Sequence, residues 1–185
     1  MAIKLAVVAL VVGAIILATM LLIGRRTTSS QAGGWQVEVS KSQRRLVLYQ
    51  GRTPCRTYRI GLGRHPVGLK AHEGDGRTPE GDYYVCSKNP QSKFHLSLGL
   101  SYPNTQDAQR SLQAKRISQA QYEQISRAIK RQDKPPWDTP LGGEIFIHGS
   151  GSGADWTLGC IALDDKDIAE LYRLVPLHTP VVIKP

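Results

Sequence analysis

From Trp35 onward, apolar and polar residues alternate in short runs separated by turn residues. Trp35-Gln36-Val37-Glu38-Val39 has the period of two that a half-buried strand shows. Ser40 to Gln43 is polar and turn-like; Arg45-Leu46-Val47-Leu48-Tyr49 follows as a second strand, closed by Gln50-Gly51. Arg56 to Ile60 reads as a third and ends at Gly61-Leu62-Gly63. Residues 64–81 are rich in glycine and carry Pro66 and Pro79, the composition of a long turn. Asp82–Cys86, Phe94–Gly99, Ile145–His148 and Pro180–Ile183 are further strand-like runs, and Tyr102-Pro103-Asn104 breaks the pattern between two of them.

The period changes to that of a helix in two places. Ser118 and Gln121 have the spacing of a capping box, Ile117 and Tyr122 that of a hydrophobic staple, and Tyr122, Ile125 and Ile129 share one face. Pro135-Pro136 stops this helix, whose expected role is to cover a sheet edge or wall a site. The second begins at Asp164, a capping residue, and carries Ile168, Leu171, Tyr172 and Val175 on its apolar face up to Pro176. The pattern predicts a mostly β, α+β fold: a β-sandwich or barrel with two short helices.

The first segment does not belong to that domain. Leu5 to Ile23 holds no charged residue and as a helix reaches about 28 Å, close to a bilayer's hydrocarbon thickness. Residues 1–26 are expected to be a transmembrane anchor, placing the membrane along residues 5–23. The alternative is an export signal cleaved near Ser30-Gln31-Ala32. Residues 27–34 are a Thr, Ser, Gln, Ala and Gly spacer, and residues 35–185 suffice for one domain with a real core.

Of 24 basic residues, removing Lys4, Arg25 and Arg26 leaves 21 against 15 acidic ones, a domain charge of +6. That surface favours anionic neighbours such as a cell wall or a membrane face. The basic residues are scattered with few aromatics among them, and no nucleic-acid motif is present. No C-x-x-C, H-x-H or H-E-x-x-H spacing occurs, so neither metal nor cofactor is expected. The cysteines are Cys55, Cys86 and Cys160. A Cys55–Cys86 bridge with one free thiol satisfies an odd count in an exported chain; three small buried residues satisfy it as well, and are favoured.

Chemistry concentrates in the C-terminal third. An apolar run ends in His148-Gly149; a glycine- and serine-rich loop follows; the chain re-enters apolar sequence through Asp155-Trp156-Thr157-Leu158-Gly159-Cys160-Ile161. An imidazole beside a thiol can remove its proton and make a nucleophile. The Gly149 carbonyl can fix the imidazole tautomer, and amides around Gly159 can face an oxyanion. Ser152, Asp155, Thr157 and Leu158 are candidates for substrate contact. On spacing alone, a buried thiol and a structural histidine are the commoner reading of such a pair.

These residues resemble the L,D-transpeptidase (YkuD-type) catalytic domain, whose signature is His-Gly followed by Ser/Thr-His-Gly-Cys-Ile/Val-Arg. His148-Gly149 and Thr157-Leu158-Gly159-Cys160-Ile161 fit it, Val39 to Tyr49 is similar to that domain's first hairpin, and Gly76-Arg77-Thr78-Pro79-Glu80-Gly81 to its G-x-T-P-x-G segment. The resemblance implies an L,D-transpeptidase-like β-sandwich or barrel over residues 35–185. It makes Cys160 the nucleophile, His148 its base, Gly149 the orienting carbonyl and Gly159 part of the oxyanion region. It implies peptidoglycan stem tetrapeptides as substrates, an acceptor amine on another stem or a lipoprotein, and work in the bacterial envelope on cell-wall organisation and cell shape. The alternatives are an L,D-carboxypeptidase or amidase, and a catalytically silent wall-binding module. Leu158 stands where the pattern has histidine and Ala162 where it has arginine.

Overall fold

The computed structural model describes residues 33–185. The expected anchor or signal, and most of the spacer, lie outside the described residues. Eight strands form one sheet: β1 (Trp35–Ser40), β2 (Arg45–Gln50), β3 (Thr53–Arg59), β4 (Gly81–Ser92), β5 (His95–Leu100), β6 (Phe146–His148), β7 (Ile161–Ala162) and β8 (Pro180–Lys184). Their order across the sheet is β3-β2-β1-β8-β4-β5-β6-β7. The alternation of the first hairpin sets its register, Val37 opposite Leu48 and Val39 opposite Leu46, with all four side chains buried.

β4 carries the sheet around a corner. Its first residues pair with β8, Tyr83 opposite Val181, and its later ones with β5, with shifts in register after Val85 and after Asn89. Such shifts bend a strand and increase its twist. The far edges then meet: past β3, the Gly61 N–H donates to the Ala162 carbonyl and the Ala162 N–H to the Gly61 carbonyl, both at 2.9 Å. The expected β-sandwich or barrel is thus a curled sheet whose far ends are joined by two bridges, Gly61 with Ala162 and Gly63 with Thr157. Val37, Leu46, Leu98, Ile147, Ile161, Ile168 and Val181 belong to its core.

Three helices are present among the described residues, one more than expected: α1 (Thr105–Gln113), α2 (Gln119–Lys130) and α3 (Asp165–Leu174). The additional α1 starts from a reciprocal capping box of Asn104 and Asp107. Its apolar face is narrow, Ala108 and Leu112, which is why hydrophobic periodicity missed it. α2 begins at the expected Ser118–Gln121 capping box, and Ile125 and Ile129 pack with Ala108, Ile117 and Leu141 into a second, smaller core. In α3 Asp164 occupies the N-cap, but its carboxylate makes no cap bond; it accepts the amide and hydroxyl of Ser152 instead, at 2.9 and 3.0 Å. Cys55, Cys86 and Cys160 are all free, with Cys55 on edge strand β3 and Cys86 in the central β4.

Candidate active site

Cys160 and His148 meet because β6 and β7 run parallel, Ile147 beside Ile161 and His148 beside Ala162. Side chains alternate along a strand, so with both isoleucines in the core, Phe146, His148 and Cys160 face the other way. There they line a cleft of about 320 Å³ together with Asn89, Ser92, Phe94 and Ser97. Ser97 stands opposite His148 across β5 and β6.

The imidazole is held on every side but one. Its Nδ1 lies 2.7 Å from the Gly149 carbonyl, and since a carbonyl only accepts, Nδ1 carries the proton and Nε2 the lone pair. Phe94 stacks on the ring at 4.5 Å, and the Trp156 indole meets it edge-on at 5.6 Å. Burial pushes the imidazole below its usual pKa, against the opposing effect of the Gly149 hydrogen bond. The net effect favours the neutral imidazole.

Burial also favours the neutral form of the thiol. Burial raises its pKa more than the Phe146 N–H (3.4 Å from Sγ) and the Lys70 charge lower it, and the Glu144 charge adds to the rise. Its own proton lies toward the Glu144 carbonyl at 3.5 Å. Both shifts favour the neutral forms, a thiol and an imidazole facing one cleft.

The Cys160 backbone is fixed by two threonines. Thr157 Oγ1 donates to the Cys160 carbonyl at 2.8 Å and accepts from the Gly159 N–H at 3.1 Å. Thr78 Oγ1, which accepts from the Gly63 N–H at 2.9 Å, approaches the same carbonyl at 3.4 Å. The Gly159 amide is therefore engaged, and in the 158–160 turn the N–H groups of Leu158 and Cys160 have no acceptor among the described residues. Gly159 itself has φ +140° and abuts the Arg77 carbonyl, where a Cβ would stand at 2.8 Å.

The other candidates are placed as follows. Asp155 is bound by the Arg44 guanidinium at 2.6 Å and by the Leu62 N–H at 2.9 Å, tying the first hairpin to the nucleophile loop. Ser152 is buried, its hydroxyl held by Asp164. Leu158 is 71% exposed beside Cys160, the one member of the four whose side chain is free to meet a ligand. Gly149 sits where a Cβ would collide with Asp165 Oδ1 and the Phe94 carbonyl.

Sequence reasoning did not find Phe94, Trp156, Thr78 or Lys41. Thr78 lay inside a recognised segment, but nothing in the pattern said its hydroxyl reaches Cys160. Lys41, in a stretch expected to be a polar turn, is buried; its ammonium binds the carbonyls of Gly68 and Thr78 and the Glu80 carboxylate at 3.0, 2.9 and 2.7 Å. Among the described residues no group of three or more His, Cys, Asp or Glu is placed to hold a metal.

A buried histidine on β6 and a cysteine just ahead of β7 thus share one cleft at the seam of a curled sheet. The family model of the L,D-transpeptidase catalytic domain (YkuD) matches residues 34–183, and the chain belongs to that family. No curated protein matches it. Among solved structures, the helical cell shape determining protein Pgp2 (K307A mutant) from Campylobacter jejuni superposes with a TM-score of 0.59 at 24% identity, covering 83% of this chain and 48% of that one. Bd1075 from Bdellovibrio bacteriovorus gives 0.52 at 20%, covering 84% and 49%, and an L,D-transpeptidase from Mycobacterium smegmatis 0.50 at 10%, covering 83% and 59%. At these identities the likeness is one of fold. The chain spans about half the length of the first two.

Proposed function

We propose that the domain is a cysteine acyltransferase that acts on peptidoglycan stem tetrapeptides at the extracytoplasmic face of a bacterial envelope. The observation that carries this is the Gly149 carbonyl on His148 Nδ1 at 2.7 Å, which leaves Nε2 as the lone-pair nitrogen in the cleft it shares with Cys160. Nε2 takes the thiol proton as sulfur attacks the carbonyl that precedes the terminal D-alanine. The C–S bond forms, and the oxyanion is met by N–H groups of the 158–160 turn. The C–N bond then breaks and the imidazolium returns the proton to the departing amine, leaving a thioester. An acceptor amine attacks the thioester, loses a proton to Nε2, and the sulfur leaves and is reprotonated.

Family membership and the domain's net positive charge against an anionic wall support the substrate class. The uncharged Leu5–Ile23 run supports the location. A part in cell shape follows from wall remodelling, and one structural relative is named for that role. Incubation with a disaccharide tetrapeptide and a free amine, analysed by mass, should give D-alanine and an amide product. Both should disappear with Cys160→Ala, and their formation by that variant would refute the assignment.

A further inference from the structure

The cleft that holds His148 and Cys160 is walled by the end of the β4–β5 hairpin, which contributes Asn89, Ser92, Lys93 and Phe94. Lys93 is the one lysine, arginine, aspartate or glutamate among the described residues that line it. Asn89, Ser92 and Ser97 are neutral, and burial favours the neutral imidazole of His148. Ala162, beside His148 on β7, carries no charge. An anionic group that a ligand brings into this cleft therefore meets a single cation.

The backbone under Lys93 is fixed, whereas its side chain is free. The Gln91 N–H donates to Asn89 Oδ1 at 2.8 Å and the Phe94 N–H to Ser92 Oγ at 3.2 Å. The Phe94 carbonyl accepts the Gly149 N–H at 3.0 Å, which ties the hairpin to the residue whose own carbonyl holds His148 Nδ1. The Phe94 ring stacks on the imidazole at 4.5 Å, and the Lys93 ammonium lies over the same ring at 5.1 Å. A ring face attracts a cation and leaves its N–H donors unspent. The ammonium has no carboxylate or carbonyl partner among the described residues, unlike those of Lys41, Lys70 and Lys88, which are bound within the fold.

The chemistry indicates which anion comes here. The amine that leaves in acyl transfer takes its proton from His148 Nε2, so that nitrogen has to stand at the imidazole. A terminal residue carries its carboxylate two bonds beyond its nitrogen. Lys93 stands one ring beyond the imidazole, on a flexible four-carbon stem that lets the ammonium move while the backbone stays in place. A residue inside a longer peptide would bring a neutral amide to the same spot and gain nothing from the charge.

We propose that Lys93 binds the terminal carboxylate of the donor, on the residue that leaves, and so makes a free peptide end part of what the site recognises. The proposal rests on the acyl-transfer reading above. The ammonium exchanges its contact with the Phe94 ring for a charge-assisted hydrogen bond to the carboxylate. That bond holds the leaving residue with its nitrogen toward Nε2. Lys93 sets specificity by binding; it transfers no proton and forms no covalent bond. Because the residue is exposed, the pair stays in contact with water and its contribution is modest.

The test uses the full chain and two disaccharide tetrapeptide donors, one ending in D-alanine and one in D-alaninamide. Mass analysis of the released amino acid or amide gives kcat/KM on each donor for wild type, Lys93→Gln and Lys93→Arg. Wild type should favour the acid, and Lys93→Gln should shrink that preference about fivefold, the size of one partly exposed ion pair. Lys93→Arg should keep most of it, and added salt should erode it in wild type but not in Lys93→Gln. Titration of Cys160→Ala protein with both peptides, with and without Lys93→Gln, should show the same change as a ratio of Kd values. A preference that survives in Lys93→Gln overturns the proposal, whether that variant is as fast as wild type or slower on both donors alike. A third donor, amidated instead on a side-chain carboxylate of its third residue, separates the two carboxylates. If sensitivity to Lys93→Gln is lost with that donor and kept with the D-alaninamide, the proposal is again overturned. A wild type that releases no D-alanine defeats the acyl-transfer reading, and equal affinities of Cys160→Ala for acid and amide then overturn the proposal separately.

Discussion

Thr157 donates its hydroxyl proton to the Cys160 carbonyl at 2.8 Å while the same oxygen accepts the Gly159 N–H at 3.1 Å. One buried side chain thus closes the turn that presents Cys160. Thr157→Val should lose the first bond and leave the Gly159 amide unpaired, a cost of about 1–3 kcal/mol. Thermal unfolding should register it as a lower Tm, acylation should slow, and Thr157→Ser should restore most of both. A Thr157→Val protein with wild-type Tm and rate would show that the turn does not depend on the hydroxyl.

The resting charge state makes a pH prediction. His148 is depressed below its ordinary 6.5 by burial, and Cys160 is raised above its ordinary 9.0, also by burial. Acylation requires the unprotonated imidazole, so its rate should rise with pH through a value below 6.5 and then stay level. No second rise from free thiolate should appear before pH 9. His148→Gln should remove the low-pH limb and slow acylation by about 10²–10⁴-fold. Iodoacetamide labelling of Cys160 that saturates near pH 6 would contradict the neutral-thiol state.

Gly149 should not tolerate a side chain. In Gly149→Ala the new methyl would press on Asp165 Oδ1 and the Phe94 carbonyl, both part of the frame around His148. Overpacking of this kind costs about 1–3 kcal/mol. The change should reduce both denaturant midpoint and acylation rate, because the carbonyl that orients His148 moves with the methyl. Wild-type values for both would mean that the loop relaxes freely.

Lys41 is expected to be worth more than a turn lysine. Its side chain is 3% exposed, and that of its partner Glu80 is 13% exposed. Lys41→Met strands that carboxylate and two carbonyls, and removing one partner of a buried pair costs about 3–5 kcal/mol. Urea unfolding should show the loss. The cleft should be affected too, since the Thr78 carbonyl is one of the stranded groups and the Thr78 hydroxyl approaches Cys160. A surface-like effect below about 0.5 kcal/mol would rule out the buried pair as a stabilising element.

Seven of the eight strands, α2 and α3 were legible because each left a local signature, namely alternation, a capping box or an apolar stripe, whereas β7 is only two residues long. α1 was not, since a helix with two apolar contacts and a polar remainder has little periodicity to detect. The second half of β4 also escaped, because Ser87 to Ser92 is polar, contains Pro90 and forms its ladder with β5 at an exposed hairpin. Phe94 and Trp156 became part of the site only through the fold, being 54 and 8 residues from His148 with no pattern joining them. Asp155 and Ser152 were read as groups open to a ligand, yet their partners Arg44 and Asp164 lie far enough along the chain that only folding reveals the pairing.

The bridge between Gly61 and Ala162 joins the two ends of the sheet, and Ala162 is fully buried there. A Cβ on Gly61 would lie 3.8 Å from that of Ala162 and would clash with the Ala154 carbonyl. A long cationic side chain at 162 would therefore have to part the edges or bury its charge against glycine backbone. In this chain the position next to the nucleophile strand serves as a rivet. Closing the sheet and holding the strand that follows Cys160 are thus one task, carried out by two residues with almost no side chain.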